Sequence, residues 1–403
     1  MIVVVGGGAA GLMAAIAASE RGAAVTLVER TTDGGRKILI SGGGRCNVLP
    51  SAIDPHRFVS DSPPHLVRGL LRSWPLDGQR TFFEHDLGIP LALEAETGKL
   101  FPVSNRARDV RDGLVGHARR LGATLVFETL VTGVEGAGDV WTVRTSRGDY
   151  TARAVILATG GLSVPATGSD GTGLRLSASL GLKVHDTYPA LTPLIAEPAR
   201  HAALAGVSAH ARVRARADGR SVDARGGLLF THRGYSGPAI LDVSHAAVRS
   251  LRAGKDAALR VQWSEVDARS WEQAIAASNG LVTSVVARVL PQRLAAALVA
   301  ESHMPLDRRA SELRRRERVA LIERLTAYAL PVTGDEGYKK AEVTGGGIAL
   351  DEIDPRTLEC RARAGLFLCG ELLDAFGPIG GHNFAWAWAT GRAAGIGAAL
   401  RNS

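Results

Sequence analysis

The chain opens on a continuous apolar run, Ile2-Val3-Val4-Val5, the pattern of a short strand buried on both faces. Gly6-Gly7-Gly8-Ala9-Ala10-Gly11 follows, and then an alanine-rich apolar stretch that predicts a helix from Leu12 to about Arg21. A second strand, Ala24 to Val28, ends on Glu29. Residues 54–120 read as mainly helical, with a short insertion at Gly98–Asn105 and a helix over Ala107–Leu121 that Ser104 or Asn105 could cap. Strands are predicted at Thr124–Phe127, Val140–Thr145 and Tyr150–Leu157, the last two as a hairpin, and a helix at Gly173–Leu180. From about residue 190 the pattern changes. Short strand-like runs such as Arg212–Arg216 and Gly227–Phe230 alternate with turns up to about 264, and 267–330 is helical and arginine-rich. The opening character then returns: a strand entering a glycine turn at Ala341–Ile348, a strand at Gly365–Glu371, and a helix from Phe384 to Leu400. The pattern predicts an α/β fold in which a discontinuous domain, 1–189 with 340–403, surrounds an inserted β-plus-helical domain, 190–339, whose β unit covers about 190–264 and whose helices cover about 267–330.

The first thirty residues spell strand, G-x-G-x-x-G, helix, strand, acid, the order of a dinucleotide-binding βαβ unit. Gly6 allows the tight turn, Gly8 lets a pyrophosphate approach the backbone, and Gly11 lets the helix pack close to the sheet. Ala9 and Ala10 open the helix, whose N-terminus offers free N–H groups and a positive dipole end. Glu29 is placed to accept hydrogen bonds from the adenosine ribose. The bland alternative is a tight turn in an ordinary α/β domain.

Length and composition narrow the class. The 403 residues call for two or three domains, and 45% hydrophobic with 22% charged residues is ordinary globular composition. The formal net charge of +8 permits a nucleic-acid partner without requiring one. The densest arginine cluster, Arg308 to Arg318, reads first as a solvated helix face. Three cysteines, Cys46, Cys360 and Cys369, without C-x-x-C spacing, fit a reducing compartment. With no basic n-region and no apolar run long enough to span a bilayer, the expectation is a soluble cytoplasmic protein.

Other stretches carry candidate chemistry. Between Arg30 and Asn47, two glycine clusters lie among basic residues, and Arg36, Lys37 and Arg45 offer charge to an anion. Ala158-Thr159-Gly160 ends an apolar strand in small residues that let the chain pass beside a ligand. Gly380-Gly381-His382-Asn383-Phe384 places a second helix N-terminus behind glycines. Candidate catalytic groups are Cys46, His232, Tyr235 and His382. Cys46 reads as packing before redox duty, and His382 as capping or packing as readily as ligand contact. His232 or Tyr235 could donate a proton, or simply belong to a structured turn. No metal-ligand spacing stands out.

The ordered set G-G-G-A-A-G (6–11), G-R-K-I-L-I-S-G-G-G-R-C-N (35–47), A-T-G-G (158–161), F-T-H-R-G-Y-S-G-P (230–238), V-T-G-G-G-I (343–348), G-L-F-L-C-G-E (365–371) and G-G-H-N-F-A-W-A-W-A-T-G-R-A-A-G (380–395) resembles the BaiN-like (YhiN-type) bacterial flavoproteins of the glutathione-reductase-like FAD superfamily. The resemblance covers nearly the whole chain. It implies a Rossmann-like domain of glutathione reductase type binding FAD non-covalently. Gly6, Gly8 and Gly11 would hold the pyrophosphate, and Glu29 with Arg30 the adenosine side. Arg36, Lys37 and the run Ser41, Gly42, Gly43, Gly44, Arg45, Cys46 and Asn47 would line the phosphate-to-flavin side. The backbone of Val131 would meet the adenine edge, with Ala158, Thr159 and Gly160 beside the adenosine half. Gly370 and Glu371 would face the ribityl region. Gly380, Gly381, His382, Asn383 and Phe384 would present a helix N-terminus to the flavin pyrimidine. Two departures stand out: the family's C-N-x-T-N reads Cys46-Asn47-Val48-Leu49-Pro50 here, and His382 replaces a family aromatic.

The resemblance further implies an FAD-dependent oxidoreductase that passes a hydride from NAD(P)H through flavin to a small unsaturated substrate such as an enone. With no second complete G-x-G-x-x-G unit, the nicotinamide would visit only transiently. Two alternatives belong to other classes: a flavin-dependent RNA-modifying or RNA-binding protein, with the arginines near 308–318 on phosphates, and a non-catalytic flavin sensor. The oligomeric state is left open.

Overall fold

Strands that must be covered on both faces can carry almost nothing polar, and that requirement shapes the first unit. A computed structural model describes residues 1–217 and 220–402. The chain forms two compact units, Met1–Thr187 with Val343–Ser403, and Tyr188–Glu342. In the first, five parallel strands lie in the order Leu366–Leu368, Ala154–Leu157, Ile2–Val5, Val25–Val28, Thr124–Val126. Every residue of the first four is buried. Such a sheet needs helices on its faces. The helix Ala9–Ser19 is buried at every position from Ala10 to Ser19, so it is apolar all round rather than amphipathic.

The second cover is the C-terminal helix, His382–Asn402, and it packs against Ala9–Ser19 at a separation that only glycine permits. A Cβ at position 391 would lie 2.3 Å from Ala10 O, and one at 395 would lie 2.3 Å from Ala14 O. Four residues apart, these glycines share one helix face. On the other side of the first helix, a Cβ on Gly11 would sit 1.9 Å from Gly6 O. Backbone therefore meets backbone on two sides of the same turn.

Three local expectations are corrected. The stretch 54–120 is mainly helical as expected, but Leu91–Glu94 and Lys99–Pro102 within it form an antiparallel pair, joined by Leu49–Pro50 in a three-stranded sheet. The segment expected as an insertion is thus a central strand, and Leu100, Phe101 and Pro102 are its buried residues. Ser104 and Asn105 do not cap the following helix, Ala107–Arg120; Arg106 occupies the N-cap without a side-chain bond. The predicted hairpin at 140–157 ends at Ala152, because Val140–Thr145 pairs with Tyr150–Ala152. The next residues leave for the parallel sheet. Val131–Ala137, read as no element, is the third strand of that small sheet.

The second unit holds a seven-stranded sheet that is antiparallel at each of its pairings. Its long central strands are Ser208–Ala217 and Arg220–Phe230, with helix Pro238–Arg252 packed against them. The split into a β unit followed by helices is also corrected. Tyr328–Leu330 and Gly334–Asp335, beyond the helices, complete the two edges of the sheet. Strands of three and two residues are too short to show a period.

Alanine is the better helix former, by about 0.5–1 kcal/mol over glycine in a helix interior. At Gly395 the clash with Ala14 O outweighs that gain. Gly395→Ala is expected to lower stability by about 1–3 kcal/mol, as overpacked interiors do. Gly69→Ala, in helix Pro64–Arg72 with nothing within 4 Å of the added Cβ, should raise it. Thermal melting of both variants tests this, and equal behaviour at the two sites would contradict the close seam.

Candidate functional site

The glycine turn after the first strand is held from beneath by a carboxylate. Gly7 N donates to Glu29 Oε2 at 2.6 Å, while Thr31 N and Thr31 Oγ1 both donate to Oε1 at 2.7 Å. Glu29 is buried, and a carboxylate with two lone-pair sites on each oxygen retains a free site on Oε2. Gly8, the N-cap of helix Ala9–Ser19, has nothing within 4 Å of an added Cβ. The N–H groups of Ala9 and Ala10 start the helix and have no intrahelical acceptor. The adjoining loop is locked down: Arg111 Nη1 donates to Asp33 Oδ2 at 2.9 Å and to Gly34 O at 3.3 Å. A polar cleft of about 390 Å³ opens beside Glu29, lined by Arg30, Thr31, Thr32, Arg36, Glu128, Pro165, Ala166 and Gly168.

A second glycine platform lies at Ser41–Gly44. Gly42, Gly43 and Gly44 all have positive φ, and added Cβ atoms on Gly43 and Gly44 would meet nothing within 4 Å. The cations expected to face an anion here are tied to carboxylates. Arg36 Nε donates to Asp33 Oδ1 at 3.0 Å, and Arg30 pairs with Asp170. Arg45 pairs with Glu94 at 3.0 Å and lies 4.0 Å over the Phe101 ring. Cys46 is fully buried at the end of the platform, with φ 62°, and Asn47 beside it is half-buried. Burial pushes the Cys46 thiol up to about 12, so it is not a thiolate at neutral pH. Its expected packing role matches this burial.

Lys37 belongs to a polar knot assembled from four distant segments. Its Nζ donates to Ser163 Oγ and Glu371 Oε2, both at 2.6 Å. Ser163 Oγ donates to Glu371 Oε1 at 2.5 Å, as does Thr344 N at 2.9 Å. Thr344 Oγ1 in turn accepts from Leu162 N and Ser163 N. Ser163 and Thr344 received no role from sequence, although both adjoin the quoted glycine motifs. The knot lies along Gly160-Gly161: a Cβ on Gly161 would fall 2.4 Å from Thr344 Oγ1. Ala158 N bonds to Val5 O, and Thr159 fills the space beside Gly173, which places this passage against the first strand. Val131 is buried and paired with Thr145.

Gly370 brings the knot to the first helix, since a Cβ there would lie 2.7 Å from Ala10 Cβ. Its N–H donates to Thr390 Oγ1, and its carbonyl accepts from Trp386 Nε1. The C-terminal helix begins behind Gly380 and Gly381, both with positive φ; at 381 a Cβ would strike Leu49 C at 2.6 Å. Asn383 clamps the approach loop, accepting from Gly377 N at 2.9 Å and donating to Gly377 O at 3.0 Å. Phe384 stacks on Trp388. Another group that sequence reading missed is Asp374, the acid of G-E-L-L-D. It is buried and accepts from Asp61 N and from both Ser62 N and Ser62 Oγ.

His382 is buried at the helix start, and its Nδ1 has no hydrogen-bond partner. Burial first, and the Arg57 charge second, hold the imidazole down to about 4, so it is neutral at pH 7.

The two candidates in the second unit part company. His232 is exposed on the turn between Arg220–Phe230 and Gly234–Ser236. Tyr235 is fully buried, and its hydroxyl lies 2.8 Å from His201 Nδ1. His201 Nε2 is 2.8 Å from Glu301 Oε1, and Tyr328 Oη donates to Glu301 Oε2 at 2.6 Å. Tyr235 is therefore a member of a closed core network, with its proton held above the usual phenol range by burial. That corrects its reading as a proton donor. Among the described residues no group of side chains could hold a metal ion, and no helix is long and apolar enough to cross a membrane.

The description "HI0933-like protein Rossmann domain" matches residues 1–397. The chain belongs to this HI0933-like family. Over 359 residues it is 32% identical to the ribosomal RNA dihydrouridine synthase of Escherichia coli K12, spanning 88% of this chain and 86% of that one. Over 373 residues it is also 32% identical to the 3-dehydro-bile acid delta(4,6)-reductase of Clostridium scindens, spanning 91% and 90%. The fold is that of a solved 3-ketosteroid-delta4-(5alpha)-dehydrogenase from Rhodococcus jostii RHA1, at TM-score 0.51 and 16% identity over 99% of this chain and 96% of that one. The family description and the solved dehydrogenase agree on a Rossmann-type fold for this chain.

The residues present fit the FAD that the sequence resemblance implies. Gly8, Gly43 and Gly44 line open backbone where a side chain would stand, next to free helix N–H groups, and the orphaned Nδ1 of His382 lies at the second helix start.

Gly8→Val should fold normally and lose flavin, because its Cβ meets only open space and would stand where the pyrophosphate is expected. Gly11→Ala should lose both flavin and fold. Circular dichroism and bound-flavin absorbance separate the two, and flavin retained in Gly8→Val would refute the assignment. A second expectation concerns pH. His382 binds its proton less readily folded than unfolded, so its contribution is present above pH 6.5 and is lost as pH falls toward about 4. His245, also held near 4, acts in the same direction. His382→Asn should remove on the order of 2–3 kcal/mol of the acid sensitivity between pH 7 and pH 4, read by urea unfolding.

Proposed function

We propose that this protein reduces a carbon–carbon double bond conjugated to a carbonyl, with NAD(P)H as donor. The observation that carries the reading is what two of its curated relatives share. Uracil is converted to dihydrouracil at a C5=C6 bond conjugated to C4=O, and a 3-oxo compound with 4,6 double bonds is a conjugated dienone. Both are electron-poor alkenes that accept hydride at the β-carbon and a proton at the α-carbon. FAD, when bound, supplies the redox chemistry.

The chain's own residues bind and orient. The N-terminus of helix Ala9–Ser19 would hold the pyrophosphate, with Gly8 leaving room, and the free Oε2 site of Glu29 would accept from the adenosine ribose. The Gly42–Gly44 platform would line the route toward the flavin, with Glu371, oriented by Lys37, Ser163 and Thr344, at the ribityl chain. The start of helix His382–Asn402 would face the flavin pyrimidine. Because His382 is neutral, the positive potential there comes from the helix end, not from an imidazolium.

A second reading, an RNA-borne uracil as the substrate, is compatible with the net charge of +8. The test is anaerobic. NADH and then NADPH are added to the flavin-loaded protein, followed by a 4,6-dien-3-one steroid or by transcribed ribosomal RNA. The flavin bands should bleach with one nicotinamide and return only with a conjugated acceptor. Bands that never bleach would overturn the donor, and bleached bands that no conjugated acceptor restores would overturn the reaction.

A further inference from the structure

We propose that the outer face of the sheet in the second unit docks the sugar–phosphate backbone of structured RNA. The inference rests on the RNA-borne substrate reading above. Along Ser208–Ala217 the side chains alternate strictly: Ala209, Ala211, Val213 and Ala215 are buried, whereas Arg214 and Arg216 are exposed and Arg212 is half-buried. The neighbouring strands add exposed Arg225 and Arg260 to the same face. Register sets arginine against arginine twice, Arg212 opposite Arg225 and Arg214 opposite Arg260. Like charges directly opposed across a sheet destabilise it, by a few tenths of a kcal/mol or more per pair. Asp223, opposite Arg214 on the other neighbouring strand, offsets part of that cost.

Two carboxylates offset five guanidinium groups. Asp223 bonds Arg212 and lies 3.5 Å from Arg214, and Glu265 lies 3.3 Å from Arg225. In the arginine-dense segment 308–318, three of the six arginines are tied to neighbours, while Arg314, Arg315 and Arg316 are exposed. Arg308 pairs with Glu317 at 3.5 Å, Arg318 with Glu272 at 3.1 Å, and Arg309 donates to Asn279 O. The sheet differs in holding its arginines on paired strands at fixed spacing, where Arg260 also donates to Ala327 O at 3.4 Å.

The chemistry of the face selects that partner. Guanidinium forks match phosphate bidentately, and alternate residues stand about 7 Å apart along a strand. Among its described residues the face carries no Phe, Tyr or Trp, so it lacks the stacking platforms of a single-strand binder and the aromatic anchors of a protein interface. Backbone recognition of folded RNA needs neither.

The test compares flavin-loaded wild type with Arg214→Gln/Arg216→Gln/Arg260→Gln for binding to transcribed ribosomal RNA across a salt series, with dihydrouridine formation measured in parallel. The triple variant should bind about tenfold or more weakly near 0.1 M salt, with a salt slope smaller by about 3. Its flavin occupancy should be unchanged and its melting temperature no lower, since one opposed pair is relieved. If wild type forms dihydrouridine and the variant binds equally well, the face is wrong while the RNA reading stands. If wild type neither binds nor reduces the RNA but reduces a dienone, the RNA reading fails and takes the docking face with it.

Discussion

Two helices touching without side chains between them set the geometry of the first unit. The carbonyls of Ala10 and Ala14 occupy the space where Cβ atoms of residues 391 and 395 would stand. Gly11 makes the same kind of contact with the Gly6 carbonyl, so the turn, the first helix and the C-terminal helix have no independent freedom. Both helices begin at glycines. The first starts behind Gly8, and the second starts behind Gly381, whose own Cβ would strike Leu49. Fixing the seam therefore fixes the separation of two helix N-termini, and a long, stiff, polar cofactor needs two such anchor points at constant distance. The cost is carried by glycine entropy at four positions, and it is offset by burying an almost wholly apolar helix.

Charge in the first unit is used mainly to hold backbone in place. Glu29 holds the glycine turn and the Thr31 loop, Arg111 holds Gly34, and Glu371 joins Lys37, Ser163 and Thr344. These groups are buried or half-buried, and each is bonded to partners, as desolvated charge requires. The consequence is a cradle whose positive character comes from N–H groups and helix ends more than from free cations. Such a cradle is rigid and little changed by salt.

The parts legible in sequence were those written in consecutive residues. The turn Gly6 to Gly11, the strand before it and the acid after it need only local spacing, and the apolar runs at 2–5, 154–157 and 366–368 fall in one parallel sheet. The strand Lys99–Pro102 was illegible because half of its four residues are Lys and Pro, so its pairing comes from long-range register with Leu91–Glu94. Lys37 was correctly placed near the site but read as free charge. Its partner is 334 residues away, and no local pattern points to Glu371. Tyr235 stood in a dense polar motif, and only the fold reveals that His201 encloses it. Polar motifs mark places where backbone needs satisfying as often as they mark chemistry.

A family that includes both an RNA-modifying enzyme and a bile-acid reductase raises a question of where substrate choice is encoded. The cradle cannot hold it, because glycines, helix ends and a buried glutamate knot recognise a cofactor and are indifferent to what is reduced. A conjugated carbonyl alone does not distinguish a nucleobase from a steroid at the reacting atoms. The discriminating term must come from the rest of the substrate. For a polynucleotide that rest is a lattice of phosphates, for a sterol a hydrocarbon skeleton. Surfaces suited to the two are chemically opposite, one cationic and wet, the other apolar and enclosed. In this chain the second unit carries a cationic sheet face, with Arg214 set between Arg260 on one strand and Asp223 on the other.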